Sequence, residues 1–240
     1  MSEEKKIVSG NDLEEDGELT LFEGQPFSGI CCNYSKNGKK DHETYYRDGK
    51  REGLDSEWYI KGQKSQGYYK GGKEDGVWTT WYKDGEKQSR KFYKNGKLNG
   101  NQTEWYEDGQ KKYKRHYKDG KEDGLWTGWY KSGKKRSERN WKEDGVSTCW
   151  YENRQKKSEV HCKDGKEHGL WISWYENGKK EREGNLKDGE FDGLWINWYE
   201  NGKKKVEKHY KDGKENGLWT EWDEDGKKTF QGNFVNGNEQ

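Results

Sequence analysis

The stretch Lys118–Trp141 reads KDGKEDGLWTGWYKSGKKRSERNW, and drifted copies of it make up most of this chain. Its anchor is Gly124, followed by an apolar residue, by tryptophan at the second and fifth positions, and by tyrosine at the sixth. A short turn ending in glycine comes next, and a lysine-rich segment then closes on an aromatic residue. Recurrence of one such unit predicts a repeat array.

Glycines equivalent to Gly124 mark nine copies of the unit. They are spaced by about 24 residues, with one shorter step between Gly124 and Gly145, where a DGK triplet is missing. The nine anchors are Gly29, Gly53, Gly76, Gly100, Gly124, Gly145, Gly169, Gly193 and Gly217. We therefore predict a charged, mobile lead-in over residues 1–17 and a repeat domain over 18–240, with a tenth copy truncated at VNGNEQ.

Each unit is predicted to form a β-hairpin. Its segments between turns are short and rich in Trp, Tyr and Thr, as strands are. Asn-Gly and Asp-Gly dipeptides are typical of two-residue hairpin turns, in which both residues have positive φ. We place such turns at Asn37-Gly38, Asp84-Gly85, Asn95-Gly96, Asp108-Gly109, Asn177-Gly178 and Asn201-Gly202. The predicted fold is all-β, an elongated array of about nine hairpins in a single-layer, twisted antiparallel β-meander, with the DGKxxG segments as connecting loops.

The turn positions predict a register and two faces. Counting back from Ser132-Gly133, Trp126 faces Arg139, Tyr130 faces Lys135 and Gly124 faces Trp141, which leaves room for that ring across the glycine. The first and fifth positions after each anchor are apolar or aromatic in nearly every copy, so we expect their face to be the packed spine. The second position varies from Trp to Asp and Gln, so we expect it to be partly solvated.

Composition argues against disorder despite a charged content of 39%. The net charge is only +1, and 14 Trp and 16 Tyr recur at fixed positions. The sequence begins without an apolar leader and has no membrane-length apolar run. The four cysteines (Cys31, Cys32, Cys149, Cys162) form no disulfide framework, so we expect free thiols and a cytoplasmic protein.

The segments GLWISWYENGKK (169–180), GLWINWYENGKK (193–204) and YKDGKENG (210–217) resemble the MORN repeat variant family, and FEGQPFSG (22–29) resembles its first repeat. The resemblance covers about residues 20–240. It implies a curved single-layer sheet without catalytic residues, and some members are described as antitoxins that neutralise a partner toxin.

No enzyme, cofactor or metal site is expected from the residues themselves. His116, His161 and His209 share one repeat position and are interpreted as drift within a solvated strand, while Cys162 takes an apolar position. The DGKEDG loop (119–124) imitates a calcium loop, but Lys121 stands where an oxygen ligand belongs. Turn chemistry explains its acids and glycines better.

Two rows of side chains are candidate binding sites. The basic rail has lysine two positions after each turn, and its candidate binding residues are Lys135, Lys156, Lys180, Lys204 and Lys228. Protection of the sheet against aggregation and attraction of an acidic protein both explain it, and we expect each lysine to lie over a tyrosine. The Trp ladder comprises Trp78, Trp126, Trp171, Trp195 and Trp219, which suits either binding or packing.

The favoured function is a non-catalytic repeat protein that binds another protein, as an antitoxin, immunity or scaffold module. Two alternatives stay open: an aromatic-ladder binder of a glycan or a small cationic ligand, and a membrane-surface scaffold that uses the rail. Nucleic acid is disfavoured because the overall charge is balanced. The sequence leaves the oligomeric state open.

Overall fold

The structure is a computed structural model that describes residues 6–140 and 144–240; Trp141, and hence its predicted pairing with Gly124, lies outside them. The described residues form strands and turns, with a single 3-10 turn at Gly10–Asp12 and no α-helix. None of them form a helix long and apolar enough to cross a membrane. The chain divides into two compact units, Met1–Glu122 (unit 1) and Asp123–Gln240 (unit 2).

Unit 1 is a meander of hairpins with a small sheet added at its start. Its strands are β1 Ile7–Ser9, β2 Leu13–Asp16, β3 Leu19–Phe22, β4 Gln25–Pro26, β5 Gly29–Tyr34, β6 Lys40–Arg47, β7 Lys50–Trp58, β8 Gln63–Lys70, β9 Lys73–Glu74, β10 Gly76–Trp81, β11 Lys87–Lys94, β12 Lys97–Leu98, β13 Gly100–Trp105, β14 Lys111–Lys118 and β15 Lys121–Glu122. From β5 to β15, successive strands pair antiparallel.

Unit 2 repeats the same meander without the added sheet. Its strands are β16 Leu125–Trp129, β17 Lys135–Asn140, β18 Gly145–Trp150, β19 Lys156–Lys163, β20 Lys166–Trp174, β21 Lys180–Lys187, β22 Glu190–Trp198, β23 Lys204–Lys211, β24 Lys214–Glu215, β25 Gly217–Trp222, β26 Lys228–Val235 and β27 Asn238–Glu239. The predicted all-β array of hairpins is confirmed within each unit.

The segment expected to be a lead-in contains ordered strands in its described part. β1 pairs in parallel with β5, an orientation that the meander prediction did not include. β2, β3 and β4 form a separate three-stranded sheet. Val8 packs with Phe27 and Cys31 in a small buried cluster, so this segment covers the first hairpin.

Each repeat contains two different turns, and the sequence prediction exchanged them. At Asn177-Gly178 only the glycine has positive φ; Gly178 N–H donates to Tyr175 O at 2.9 Å, and Tyr175 N–H donates to Lys179 O at 2.9 Å. This is a type I turn followed by a left-handed residue. Of the six dipeptides predicted as two-residue turns, only Asn95-Gly96 has positive φ at both positions.

The two-residue turns lie instead in the segments predicted to be loops. Asp188 and Gly189 both have positive φ (54° and 93°), and Lys187 pairs with Glu190 across them. The Gly189 N–H donates to the Glu167 carbonyl of the preceding repeat at 2.8 Å. The Asp188-Gly189 turn therefore connects two paired strands and also forms a hydrogen bond to the preceding repeat.

The predicted register is confirmed in mid-strand and wrong near the turn. Trp126 pairs with Arg139, as predicted. Lys135 pairs with Trp129 rather than Tyr130, because the longer turn introduces a register shift between Gly128 and Trp129. The same shift recurs one residue before the fifth position of every repeat whose pairing is described.

Glycine is needed for different reasons at two positions of the repeat, one for backbone conformation and one for space. The anchor Gly169 has φ +88°, and only the His161 side chain lies near a Cβ placed there, so backbone conformation rather than room for a ring explains it. Gly184, in the opposite strand, does provide room, because a Cβ there would overlap the indole of Trp195. The close aromatic approach expected at the anchor is thus found at Gly184.

The predicted packed spine is wrong. Trp195 is 7% exposed and lies in a cluster with Val160, Cys162 and Leu186, on the face of the second-position residues. The first-position residues that were expected inside are exposed instead, as Leu194 is at 39%. Strand β21 explains the difference: Leu186 and Gly184 lie on the tryptophan face, and the polar Asn185 pairs with the first-position Leu170.

Candidate functional site

The sixth-position tyrosines connect one repeat to the next. The Tyr175 hydroxyl donates to the main-chain carbonyl of Trp198, the fifth-position residue of the following repeat, at 2.6 Å. Equivalent bonds of 2.7–3.3 Å join Tyr59 to Trp81, Tyr82 to Trp105, Tyr130 to Trp150, Tyr151 to Trp174 and Tyr199 to Trp222. Burial raises the pKa of Tyr175, which keeps it a donor at neutral pH. Sequence reasoning missed this role, although the spacing of Tyr and Trp, 23 residues in most pairs, was visible.

Four of the five candidate rail lysines in unit 2 are neutralised by a glutamate. Lys135, Lys156 and Lys204 each contact a glutamate three residues on, at 2.5–2.7 Å. Lys180 contacts Glu183 in the same way, and Lys228 contacts the amide oxygen of Gln231. These groups are exposed, so each ion pair contributes at most about 1 kcal/mol to folding. Their main effect is to remove the free positive charge that the rail prediction assumed.

The aromatic partner of the rail is tryptophan, not the predicted tyrosine. The Lys180 Nζ lies 5.9 Å from the ring centroid of Trp198 in the next repeat. Lys135, Lys156 and Lys204 lie 5.5–5.9 Å from the equivalent Trp150, Trp174 and Trp222. Each of these four lysines therefore contacts both a carboxylate of its own strand and an indole of the next repeat.

The Trp ladder takes part in packing: Trp195 is buried, and the other four tryptophans are half-buried. Trp171 and Trp195 lie 5.5 Å apart, and Phe191 lies 4.3 Å from Trp195. The Trp195 Nε1 donates to the Asn185 carbonyl at 3.0 Å. Trp78 covers Gly67 and meets Tyr69 edge-on, and Trp126 is half-buried.

Trp219 is engaged at the other end of unit 2. It contacts Phe230 and Phe234, with Lys208 Nζ 3.4 Å from its ring centroid. The indole Nε1 donates to Glu221 at 3.0 Å. The cation-binding position over this ring is thus taken by the protein's own lysine, and packing is the role that the ladder contacts support.

An exposed aliphatic stripe is the largest feature of unit 2 that packing does not explain. It consists of the first-position residues Leu125, Val146, Leu170, Leu194 and Leu218, which are 37–52% exposed. Their cross-strand partners are polar, including His161, Asn185, His209 and Asn233. One exposed apolar side chain per repeat is thus repeated on the same face.

The histidines and cysteines singled out from the sequence are not brought together. No group of three or more His, Cys, Asp or Glu side chains with metal-binding geometry occurs among the described residues. All four cysteines are free, and burial raises the pKa of Cys162, which keeps this thiol protonated. His161 and His209 pair with stripe residues on separate strands.

A buried polar cluster in unit 1 was not foreseen. Asp55 occupies the ladder position of its repeat, and its carboxylate accepts from Thr44 Oγ1 at 2.6 Å and lies 3.0 Å from His42 Nε2. The hydrogen bond to Asp55 raises the pKa of His42 above its ordinary value. Thr44 Oγ1 also lies 2.9 Å from the same ring nitrogen, His42 Nε2. One nitrogen therefore faces both the hydroxyl and the carboxylate, whereas a relay that activates a nucleophile uses the two ring nitrogens separately.

A family model described as MORN repeat variant matches six segments: residues 74–95, 98–119, 122–143, 167–188, 191–212 and 215–236. No curated protein matched the chain. Each matched segment carries an anchor glycine and the fifth-position tryptophan. Because the matches cover more than half of its length, this chain belongs to the MORN repeat variant family.

Proposed function

We propose that this protein is a non-catalytic module that binds another protein through the aliphatic stripe of unit 2. Repeats of its family are typically binding or scaffold modules. The observation that carries the proposal is the stripe itself, because the other regular rows are occupied by contacts within the array. Lone exposed leucines are common on proteins, whereas an ordered row of apolar side chains is typical of an interaction surface.

The stripe has dimensions that suit an extended partner surface. Its members lie on alternate strands, so they are about 10 Å apart at a strand spacing of about 4.8 Å. Five members then extend over about 40 Å before twist. The polar cross-strand partners on this face are neutral amides or histidines, so an apolar ridge of a partner would bury the stripe without burying unpaired charge.

An antitoxin or immunity protein in the cytoplasm is the most concrete form of this proposal. It rests on the family resemblance and on the stripe, which offers a large surface for covering a toxin's own site. The four free cysteines are consistent with a reducing compartment. A glycan or cation binder is less well supported, because the ladder indoles pack against their neighbours and Lys208 lies over Trp219.

The experiment is affinity capture from a lysate of the native organism, comparing wild type with Leu170→Ser/Leu194→Ser. Both leucines are exposed, so the variant is expected to stay folded, as circular dichroism would show. A protein bound through apolar contacts is retained by the wild type at about 1 M NaCl and lost by the variant, since salt screens only charges. Lys163→Ser/Lys211→Ser, also exposed in unit 2, is the matched control.

The identity of the captured protein then distinguishes an antitoxin from a scaffold module. Expression of that protein alone arrests growth if it is a toxin, and the wild-type chain, but not the stripe variant, restores growth. A harmless partner supports a scaffold instead. Equal capture by wild type and stripe variant would refute the stripe as the binding surface.

A further inference from the structure

Unit 1 breaks the charge pattern that unit 2 keeps. In unit 2 the residue three positions after a rail lysine is usually glutamate, as in Lys180 and Glu183. In two consecutive repeats of unit 1 the same position is basic: Lys87 is followed by Arg90, and Lys111 by Lys114. All four side chains are exposed, and the described residues offer none of them an ion-pair partner within 4 Å.

The register places these cations together on one face. Arg90 pairs with Thr103, and Thr103 pairs with Lys114, so the three residues lie in one row across β11, β13 and β14. Two strand spacings separate the Cα atoms of Arg90 and Lys114, which is about 10 Å. Lys87 and Lys111 lie toward the turns of the same two strands.

Exposed aromatic rings lie among the cations. Side chains alternate along β11, so Arg90, Phe92 and Lys94 share one face, with the ring between two positive groups. Phe92 is 39% exposed, and Tyr68, two strands away, is 53% exposed. We call Lys87, Arg90, Phe92, Lys94, Lys111, Lys114 and Tyr68 the basic-aromatic face.

The strands β8, β10, β11, β13 and β14 contribute no carboxylate to this face. The acids nearest to Tyr68 are Asp75 and Glu52, and they accept the main-chain N–H groups of Asn95 and Gly71 near the turns. The strands β10 and β13 contribute small, amide and aromatic side chains there, and β8 contributes Gln66, Tyr68 and Lys70. The carboxylate Glu104 lies on the opposite face, where it binds Arg115. The net charge of +1 for the chain therefore hides a local concentration of positive charge.

From this arrangement we propose that the basic-aromatic face binds single-stranded nucleic acid without sequence preference. Cations that follow a phosphate backbone, with aromatic rings on which bases stack, are the two components such sites use. An acidic peptide would use the cations alone, because carboxylates have no π-face. A duplex keeps its bases stacked on each other and so would leave the rings unused. This inference concerns unit 1 and is independent of the protein-binding proposal.

The test is fluorescence anisotropy with 5′-labelled dT20 and rU20 and the full chain at 50 mM NaCl. If the four cations Lys87, Arg90, Lys111 and Lys114 each contact a phosphate, log K falls with log salt at a slope of about −2.8. Binding should then weaken about 50-fold between 50 and 200 mM NaCl.

The decisive variant is Arg90→Glu/Lys114→Glu, which installs the residue that unit 2 has at the same position. The fold accommodates this residue, as Glu183 shows, so binding should fall at least tenfold without loss of structure. Lys163→Glu/Lys211→Glu makes the same charge change on exposed residues of unit 2 and should alter affinity less than threefold.

A stacking variant separates nucleic acid from other polyanions. Phe92→Leu keeps the apolar contact but removes the ring, and about tenfold weaker binding is expected from the lost stacking. The proposal is overturned if wild type fails to bind either oligonucleotide, or if the control variant loses as much affinity as the decisive one. It is also overturned if Phe92→Leu has no effect while polyglutamate or phosphatidylserine vesicles displace the oligonucleotide, since an acidic protein or a membrane would then be the partner.

Discussion

Two adjacent residues in β22 test which face of the sheet is packed. Leu194 and Trp195 point to opposite faces, with exposed fractions of 39% and 7%. Trp195→Ala should therefore make unit 2 unfold more easily, whereas Leu194→Ala should have little effect. The repeat pattern by itself favoured the reverse, so the pair distinguishes the two assignments.

The magnitude follows from the contacts of Trp195. Its ring packs against Trp171 and Phe191, and its Nε1 donates to the Asn185 carbonyl. Loss of a buried tryptophan costs about 3–5 kcal/mol in a closed core, and the lower end applies here because water can fill the space on a single-layer sheet. Leu194→Ala removes a side chain that already contacts water, so about 0.5 kcal/mol is expected.

Urea unfolding followed by far-ultraviolet circular dichroism measures both changes. With an m-value of about 2 kcal/mol/M, a loss of 3 kcal/mol lowers the midpoint by about 1.5 M. Leu194→Ala should shift it by no more than about 0.3 M. A larger shift for Leu194→Ala than for Trp195→Ala would refute the assignment of faces and, with it, the choice of the stripe as a free surface.

Three further predictions concern a turn, the tyrosine bonds and the polar cluster. Arg154 has φ +75° where other turns have glycine, so Arg154→Gly should raise the free energy of unfolding by about 1 kcal/mol, seen as a higher urea midpoint. Tyr175→Phe should lower it by about 1 kcal/mol through the lost inter-repeat bond, while exposed Tyr68→Phe changes it little. Because pairing with Asp55 raises the folded-state pKa of His42, its contribution is complete below about pH 6.5 and is lost as pH rises through that raised value. Wild type should therefore exceed His42→Gln in stability more at pH 5.5 than at pH 8.5, and a pH-independent difference would contradict this.

Period, strand content and mid-strand register were all predictable from the sequence, because they depend on spacing alone. The type of each turn was not predictable, since Asn-Gly and Asp-Gly dipeptides occur in both turn types. What separates them is the hydrogen bonding: Tyr175 closes a longer loop around Gly178, and Asp188-Gly189 closes a two-residue one. The sequence does indicate the difference between the two turn types indirectly, because a sixth-position tyrosine precedes most of the longer turns.

The faces were misassigned because regularity was taken as a sign of burial. Leu170 and its equivalents recur more faithfully than the ladder tryptophans, yet they are exposed. Cross-strand partners decide the matter, since Leu186 lies on the face of Trp171 and Asn185 on the face of Leu170. A stripe that recurs without being packed implies a constraint other than stability, which is why it carries the proposed function.

Positions at which one repeat departs from the common pattern also indicate constraints other than stability. Tyr175, Lys180 and Trp198 each contact a neighbouring repeat, so changing any of them alters stability first. Arg90 and Lys114 stand where the pattern of unit 2 predicts glutamate, and leaving two rail lysines unpaired lowers stability slightly rather than raising it. Folding therefore does not explain these cations, and an anionic partner is the explanation that we propose. The charge balance of the whole chain disfavoured nucleic acid, but binding depends on the charges that one face presents within a Debye length, about 10 Å at 0.1 M salt.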